Sequence, residues 1–284
     1  MENIAQKTRE LCRLYDIKPS RSKGQNFLIN EGIYQAIIKS AEISSADTVL
    51  EVGPGLGFLT AELAKAAKRV VAVELDDKLA GILTIAIDSQ DVSNVEIVNQ
   101  DILRFNPDEH LEPGEDYRVV ANLPYNITSI FLRTFLSSRR PPLSMVLMLQ
   151  KEVAERIVAS QPDMSLLSLS IQYYGRAEIV RVVPASDFWP APEVDSAILR
   201  FDYTGPRPTE DTLASDKRFF RLARVGFSAK RKMLKNNLLA GLEISSEEIE
   251  KAFLSASIPP KARAEELSVK QWLDLVAALG DSVL

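Results

Sequence analysis

Between residues 48 and 150, short β-branched apolar runs alternate with stretches whose apolar positions recur at helical spacing. Strands are predicted over 48–52, 69–74, 95–99, 117–121 and 145–150, and helices over 58–67 and 76–88. This strand–helix rhythm belongs to the α/β class, a mostly parallel sheet with helices on both faces. Residues 179–183 and 196–203 read as two later strands closing one edge of the sheet. The run Thr204-Gly205-Pro206-Arg207-Pro208 reads as a linker, so domains are expected over 1–203 and 204–284. Beyond the linker the pattern is helical, with a helix start at Ser245-Ser246-Glu247-Glu248 and an amphipathic last helix over 268–279.

The composition removes several chemistries. One cysteine, Cys12, excludes an intrachain disulfide, and one histidine, His110, with one cysteine excludes a Cys/His zinc site. No G-x-S-x-G elbow accompanies His110, which is expected to be a solvated residue of the Pro- and Glu-rich loop 106–115. No metal is expected. Residues 1–23 show no signal-peptide pattern and no apolar run is long enough to cross a bilayer, so a cytoplasmic location is expected.

The formal net charge of −5 argues against a polyanionic partner until its distribution is considered. From Lys217 to Lys235 the chain carries eight basic residues and no acid: Lys217, Arg218, Arg221, Arg224, Lys230, Arg231, Lys232 and Lys235. Such a stripe is what a nucleic acid meets. A second basic group, Lys7, Arg9, Arg13, Lys18, Arg21 and Lys23, reads by itself as a solvated face.

Candidate chemistry sits at the carboxyl ends of the predicted strands, where open α/β sheets bind ligands. Asn122-Leu123-Pro124-Tyr125 follows the strand at 117–121. It suits methylation of the exocyclic amine of adenine, a weak nucleophile whose lone pair is delocalised into the ring. The Asn122 side-chain oxygen and the Leu123 carbonyl can accept the two amine N–H bonds, and the Tyr125 ring can stack on the base. A strand-ending turn is the alternative. Glu51-Val52-Gly53-Pro54-Gly55-Leu56-Gly57 joins the first strand to its helix, and a dinucleotide loop would want a third glycine at 58, where Phe58 stands. Gly53 and Gly55 therefore suit a smaller nucleoside ligand such as S-adenosylmethionine. Glu74, 21 residues after Gly53, can accept from both ribose hydroxyls, which by itself does not separate NAD from S-adenosylmethionine. Asp101, after the third strand, can accept from the adenine amine of a cofactor or cap a turn.

With these motifs in place the chain resembles the ribosomal RNA adenine dimethyltransferases, the KsgA-type family that also includes the Erm resistance methylases. The likeness spans roughly residues 20–240. It implies a Rossmann-like class I S-adenosylmethionine-dependent methyltransferase fold with a small C-terminal helical domain. Gly24-Gln25-Asn26-Phe27-Leu28 resembles the family's cofactor-lid motif, which implies Asn26 and Leu28 beside S-adenosylmethionine. Asn122 is implied to lie against the cofactor as well. Phe188-Trp189-Pro190-Ala191-Pro192-Glu193-Val194-Asp195-Ser196-Ala197 resembles a family segment in which Phe188 would stack on the target base opposite Tyr125; from the residues alone, Phe188 reads as core. That segment and Gly226-Phe227-Ser228-Ala229-Lys230-Arg231-Lys232 favour the KsgA branch, whereas Met164-Ser165-Leu166-Leu167-Ser168 departs from a Tyr-Gly found in many relatives. The implied activity is dimethylation of N6 on two adjacent adenosines near the 3′ end of small-subunit ribosomal RNA. The implied partner is the immature small subunit, gripped by Arg221, Arg224, Lys230, Arg231, Lys232 and Lys235, with a monomeric enzyme. An Erm-like large-subunit methylase, an N6-adenine DNA methyltransferase and a non-catalytic assembly factor are the alternatives, with a NAD-dependent dehydrogenase more distant.

Overall fold

The structure is a computed structural model and describes residues 3–20, 24–89, 92–206 and 208–280. Arg21, Lys23 and Arg207, assigned above to the N-terminal basic group and the linker, lie outside the described residues. The chain forms two compact units. The first comprises Met1–Leu136, Arg140–Ala154 and Ala177–Tyr203; the second comprises Ser137–Arg139, Glu155–Arg176 and Thr204–Leu284.

In the first unit the helices are α1 (Ile4–Leu14), α2 (Glu31–Ala41), α3 (Phe58–Ala66), α4 (Asp77–Asp88), α5 (Pro107–His110) and α6 (Thr128–Leu136). Its strands are β1 (Phe27–Leu28), β2 (Thr48–Val52), β3 (Arg69–Glu74), β4 (Val95–Asn99), β5 (Tyr117–Asn122), β6 (Ser144–Gln150), β8 (Phe188–Trp189) and β9 (Ser196–Tyr203). The chain passes between the units within α7 (Lys151–Val158) and β7 (Gly175–Val183).

Seven strands form one sheet in the order β4-β3-β2-β5-β6-β9-β7. Pairing is parallel from β4 through β6, and β9 runs antiparallel to β6 with Gln150 opposite Ser196. The central strands are covered on both faces: all of β2, and β6 up to Leu149, are buried. Strand order reverses between β2 and β5, which opens a crevice at their carboxyl ends. Caps fix where the flanking helices begin. The Asp76 side chain accepts from the Lys78 and Leu79 amides to start α4, and Asn30 accepts from Gly32 to start α2. The pair β1–β8 forms a separate antiparallel ribbon, with Phe27 opposite Trp189 and Leu28 opposite Phe188.

His110 departs from expectation. It ends α5 rather than lying in open loop, its ring stacks on Phe105 at 4.9 Å, and its Nδ1 lies 2.7 Å from Glu96 Oε1. Glu96 is itself partly buried, which raises its pKa, but hydrogen bonds from His110 and Arg69 outweigh that and hold it below the usual carboxylate range.

The second unit is helical, with α8 (Leu166–Gln172), α9 (Glu210–Gly226), α10 (Leu234–Gly241), α11 (Ser246–Ser255) and α12 (Val269–Leu279). Its core gathers around Trp272, with Phe219, Leu222, Leu234, Phe253 and Leu275, all fully or nearly fully buried. Capping boxes start α8 at Ser165/Ser168, α11 at Ser245/Glu248 and α12 at Ser268/Gln271. The departure at 164–168 is thus structural here: Met164 enters this core and Ser165 caps α8. No helix among the described residues is long and apolar enough to cross a membrane.

Candidate active site

A cavity of about 250 Å³ opens at the carboxyl ends of β2, β3, β4 and β5, entirely within the first unit. Gly53 and Gly55 line it. Both adopt positive φ, +68° and +57°, and a Cβ on either would lie 3.4 Å from Asn122 O or from the Phe27 ring. Glycine thus keeps the loop open to a ligand while bringing it against the strand that carries Asn122.

Glu74 ends β3 and is almost fully buried. Its Oε2 accepts from the Gly55 amide at 3.1 Å and its Oε1 from the Asp76 amide at 2.9 Å. Each oxygen keeps a lone pair for a further donor. Burial pushes the carboxyl pKa up, and hydrogen bonds from the Asp76, Gly55 and Leu75 amides offset this only in part. Asp101 accepts from the Leu103 amide through Oδ1 only, so the turn-cap reading and an open acceptor, Oδ2, coexist in one side chain. Asn122 donates from Nδ2 to Asn26 O at 3.4 Å, which turns its Oδ1 away as a free acceptor. The Leu123 amide is tied to Met148 O at 3.3 Å.

The lining is informative in its charge. Glu74, Asp76 and Asp101 face the cavity, and among the described residues no Lys, Arg or His does. A pyrophosphate would meet three carboxylates and no counter-charge, so a dinucleotide fits badly. An adenosyl group with a cationic tail fits: carboxylates for its hydroxyls and amine, and Val52, Leu75, Ile102 and Ile127 for the flat faces of its base.

The family comparison agrees. The profile described as "Ribosomal RNA adenine dimethylase" matches residues 18–281. The chain belongs to this family. Among curated relatives, "Ribosomal RNA small subunit methyltransferase A" of Dehalococcoides mccartyi is 45% identical over 96% of this chain and 92% of its own length. The protein of that name from Clostridium botulinum is 39% identical over 93% and 95%. Among solved structures, a dimethyladenosine transferase from Plasmodium falciparum superposes with a TM-score of 0.74 at 27% identity, covering 90% of this chain and 98% of that one. The 23S rRNA methyltransferase ErmE gives 0.72 at 28% identity, covering 89% and 99%. The class I methyltransferase fold and S-adenosylmethionine as cofactor follow from the family and from the cavity that fits it.

Of the residues singled out from the sequence, Asn26, Gly53, Gly55, Glu74, Asp101 and Asn122 line the cavity. Leu28 and Phe188 do not, although Leu28 lines a smaller adjoining cavity together with Gly53, Gly55 and Asn122. Both are 3% exposed and belong to one core cluster. The reason is the two-residue period of a strand. Phe27 lines the cavity and shares a cluster with its partner Trp189, so their neighbours Leu28 and Phe188 point into the core. Leu123 is buried, and Tyr125 is half-buried beside the cavity, its hydroxyl 2.8 Å from Ser196 Oγ. Burial pushes the Tyr125 hydroxyl pKa up.

Two contributors were not singled out from the sequence. Gln25 bridges the N-terminal segment to Asp76 at 3.3 Å, and the fully buried Ser196 anchors Tyr125. Ser196 lies in the quoted P-x-P-x-V-D-S-A segment, but its partner is 71 positions away and no local pattern names it.

The basic stretch lies in the second unit. Arg221, Arg224, Lys230, Arg231 and Lys232 are exposed. Lys217, Arg221 and Arg224 stand at helical spacing on α9. Lys235 differs: it is partly buried and paired with Glu250 of α11.

Proposed function

We propose that this protein dimethylates N6 of two adjacent adenosines near the 3′ end of small-subunit ribosomal RNA, acting on immature small subunits as a cytoplasmic monomer. The observation that carries the chemistry is the acidic cavity, free of lysine and arginine among the described residues, that shares Asn122 with the Asn122-Leu123-Pro124-Tyr125 turn. When bound, S-adenosylmethionine supplies an electrophilic methyl group, so the protein's task is positioning.

Glu74 and Asp101 hold the nucleoside end of the cofactor. Asn122 Oδ1 is free because Nδ2 is committed to Asn26 O. With the Leu123 carbonyl it accepts the two amine hydrogens of the target base, which directs the nitrogen lone pair toward the methyl group. Tyr125, held by Ser196, supplies a ring to stack on the base. No strong base is required, because the amine becomes acidic once alkylated. Stacking by Phe188 on the opposite face would require its side chain to leave the core position it occupies here. The target adenosine must be unstacked to enter. The exposed cations of α9 and of 230–232 provide the sequence-independent grip on phosphates.

The test is methyl transfer from labelled S-adenosylmethionine to unmethylated small subunits, large-subunit RNA and duplex DNA, with nucleoside analysis after digestion. Dimethyladenosine in small subunits alone is expected. Label in large-subunit RNA would move the substrate to the Erm side, and binding to small subunits with no label would leave an assembly factor.

A further inference from the structure

Asn30 and Asp187 meet beside the β1–β8 ribbon, 157 positions apart in the chain. Asn30 Nδ2 donates to Asp187 Oδ1 at 2.9 Å, and next to it the Ile29 amide donates to Asp187 O at 2.8 Å. The other end of the Asn30 side chain is committed as well: Oδ1 accepts from the Gly32 amide at 2.9 Å and starts α2. A carboxylate at position 30 would cap the helix as well, but it would face Asp187 with no proton to give. Neither residue lines the cofactor cavity or belongs to the Asn122-Leu123-Pro124-Tyr125 turn.

The two sides of this bond differ in how firmly they are held. On one side, the single turn Ala185–Asp187 runs between Val183 and Phe188, both buried in the core. The Ala185 amide donates to the Asp195 carboxylate at 3.0 Å, and Asp195 O accepts from the Lys151 amide at 3.0 Å. On the other side, the segment 24–30 contains only β1, a strand of two residues paired with another of two. A ribbon that short is marginal by itself. Beyond the seating of Leu28 in the core, side-chain bonds hold the segment: Gln25 to Asp76 at 3.3 Å, Tyr34 to Leu28 O at 2.8 Å and Asn30 to Asp187. Of these three, Asn30–Asp187 ties it to the stretch that runs on into Ser196, the anchor of Tyr125. Within the segment lies Asn26, whose carbonyl accepts from Asn122 Nδ2 at 3.4 Å. That bond decides which end of the Asn122 amide faces outward.

We infer that Asn30 and Asp187 are a positioning pair for methyl transfer. Their bond sets the Asn26 carbonyl against Asn122, which keeps Asn122 Oδ1 turned to the target amine and in register with the Tyr125 ring. This rests on the reading of Asn122 given under the proposed function. With the pair broken, the segment is held at one end less and the long Asn26–Asn122 bond opens. The Asn122 amide can then present Nδ2, a donor, to an amine whose hydrogens need acceptors. The pair acts through Asn122 and touches neither reactant.

The test is steady-state methyl transfer to unmethylated small subunits, with S-adenosylmethionine affinity read by calorimetry and stability by urea unfolding. Asn30→Asp keeps the cap of α2 and sets two carboxylates face to face. Its kcat at saturating cofactor and subunits should fall about tenfold, with KM for subunits unchanged. Cofactor affinity should fall less than kcat does, because Gln25–Asp76 still holds the other end of the segment. Asn30→Asp combined with Asp187→Asn exchanges donor and acceptor, and should return kcat to within about twofold of the unaltered protein. Asp187→Ala leaves the cap untouched and should reproduce the loss, which answers the question even if Asn30→Asp does not fold. In an Asn122→Ala background neither substitution should lower kcat further. A loss confined to cofactor affinity, with kcat intact at saturation, would overturn the inference. So would a double variant no faster than Asn30→Asp, or losses additive with Asn122→Ala. Each of those results leaves the proposed function standing, whereas no transfer to small subunits by the unaltered protein would overturn both.

Discussion

Gly24→Ala probes how the N-terminal segment holds the catalytic turn. Gly24 adopts φ +64°, and a Cβ there would lie 2.9 Å from Pro124 Cβ and 3.1 Å from Pro124 Cα. Neither contact can relax by rotating a side chain, because one atom is backbone and the other belongs to a closed ring. The left-handed conformation costs an alanine about 1–2 kcal/mol, and forcing a methyl into filled space about 1–3 kcal/mol more. The segment can escape this cost of roughly 2–5 kcal/mol only by lifting off. It would then lose the Gln25–Asp76 and Asn122–Asn26 hydrogen bonds and one wall of the cofactor cavity. With tenfold in affinity per about 1.4 kcal/mol, S-adenosylmethionine binding should weaken by about 30-fold or more. Gly114→Ala is the control: φ is +77° but nothing lies within 4 Å of its Cβ. That variant should lose only the backbone cost, about 1–2 kcal/mol of stability, with the cofactor dissociation constant unchanged. Calorimetry and urea unfolding read the two quantities. Wild-type cofactor affinity in Gly24→Ala, alongside the expected loss of stability in Gly114→Ala, would refute the packing argument.

Three further outcomes are expected. Ser196→Ala removes the anchor of the Tyr125 hydroxyl, a bond worth about 0.5–1.5 kcal/mol, and should lower kcat several-fold with unchanged cofactor affinity. Combined with Tyr125→Phe it should do no further harm, and additive losses in that double-mutant cycle would show the pair to be uncoupled. Reversing charge at Arg231 and Lys232 should weaken RNA binding and flatten its salt dependence by about 0.7–0.9 in slope per lost phosphate contact. An unchanged slope would leave those residues as surface, while Lys235→Glu should also cost stability through Glu250. Because the Glu51 pKa in the fold, about 8, lies above the ordinary glutamate value of 4.5, the folded state retains a proton that the unfolded chain has released. Stability therefore falls as pH rises from about 4.5 to about 8. Glu51→Gln should be more stable than the unaltered protein at pH 8 and lose that advantage near pH 4.5; a constant difference in urea midpoint across this range would exclude the buried titration.

The sequence by itself determined what is local or periodic. The runs at 48–52, 69–74, 95–99 and 117–121 could only be strands of a covered sheet, and placing Gly53, Glu74, Asp101 and Asn122 at their carboxyl ends required no more than the strand–helix alternation. The caps at Ser245 and Ser268 were legible for the same reason, since the bonds they make span three residues. The tertiary structure decided what depends on partners far along the chain. Pairing of β1 with β8, about 160 residues away, turned Phe27 toward the cofactor cavity and Leu28 and Phe188 into the core. His110 became a partner of Glu96, and Lys235 of Glu250, through contacts that no local spacing encodes. Most of all, Glu51 reads in the sequence as one more residue of a glycine-loop motif. Only the packing of β3, β5 and the covering helices takes it out of water and pushes its pKa up to about 8.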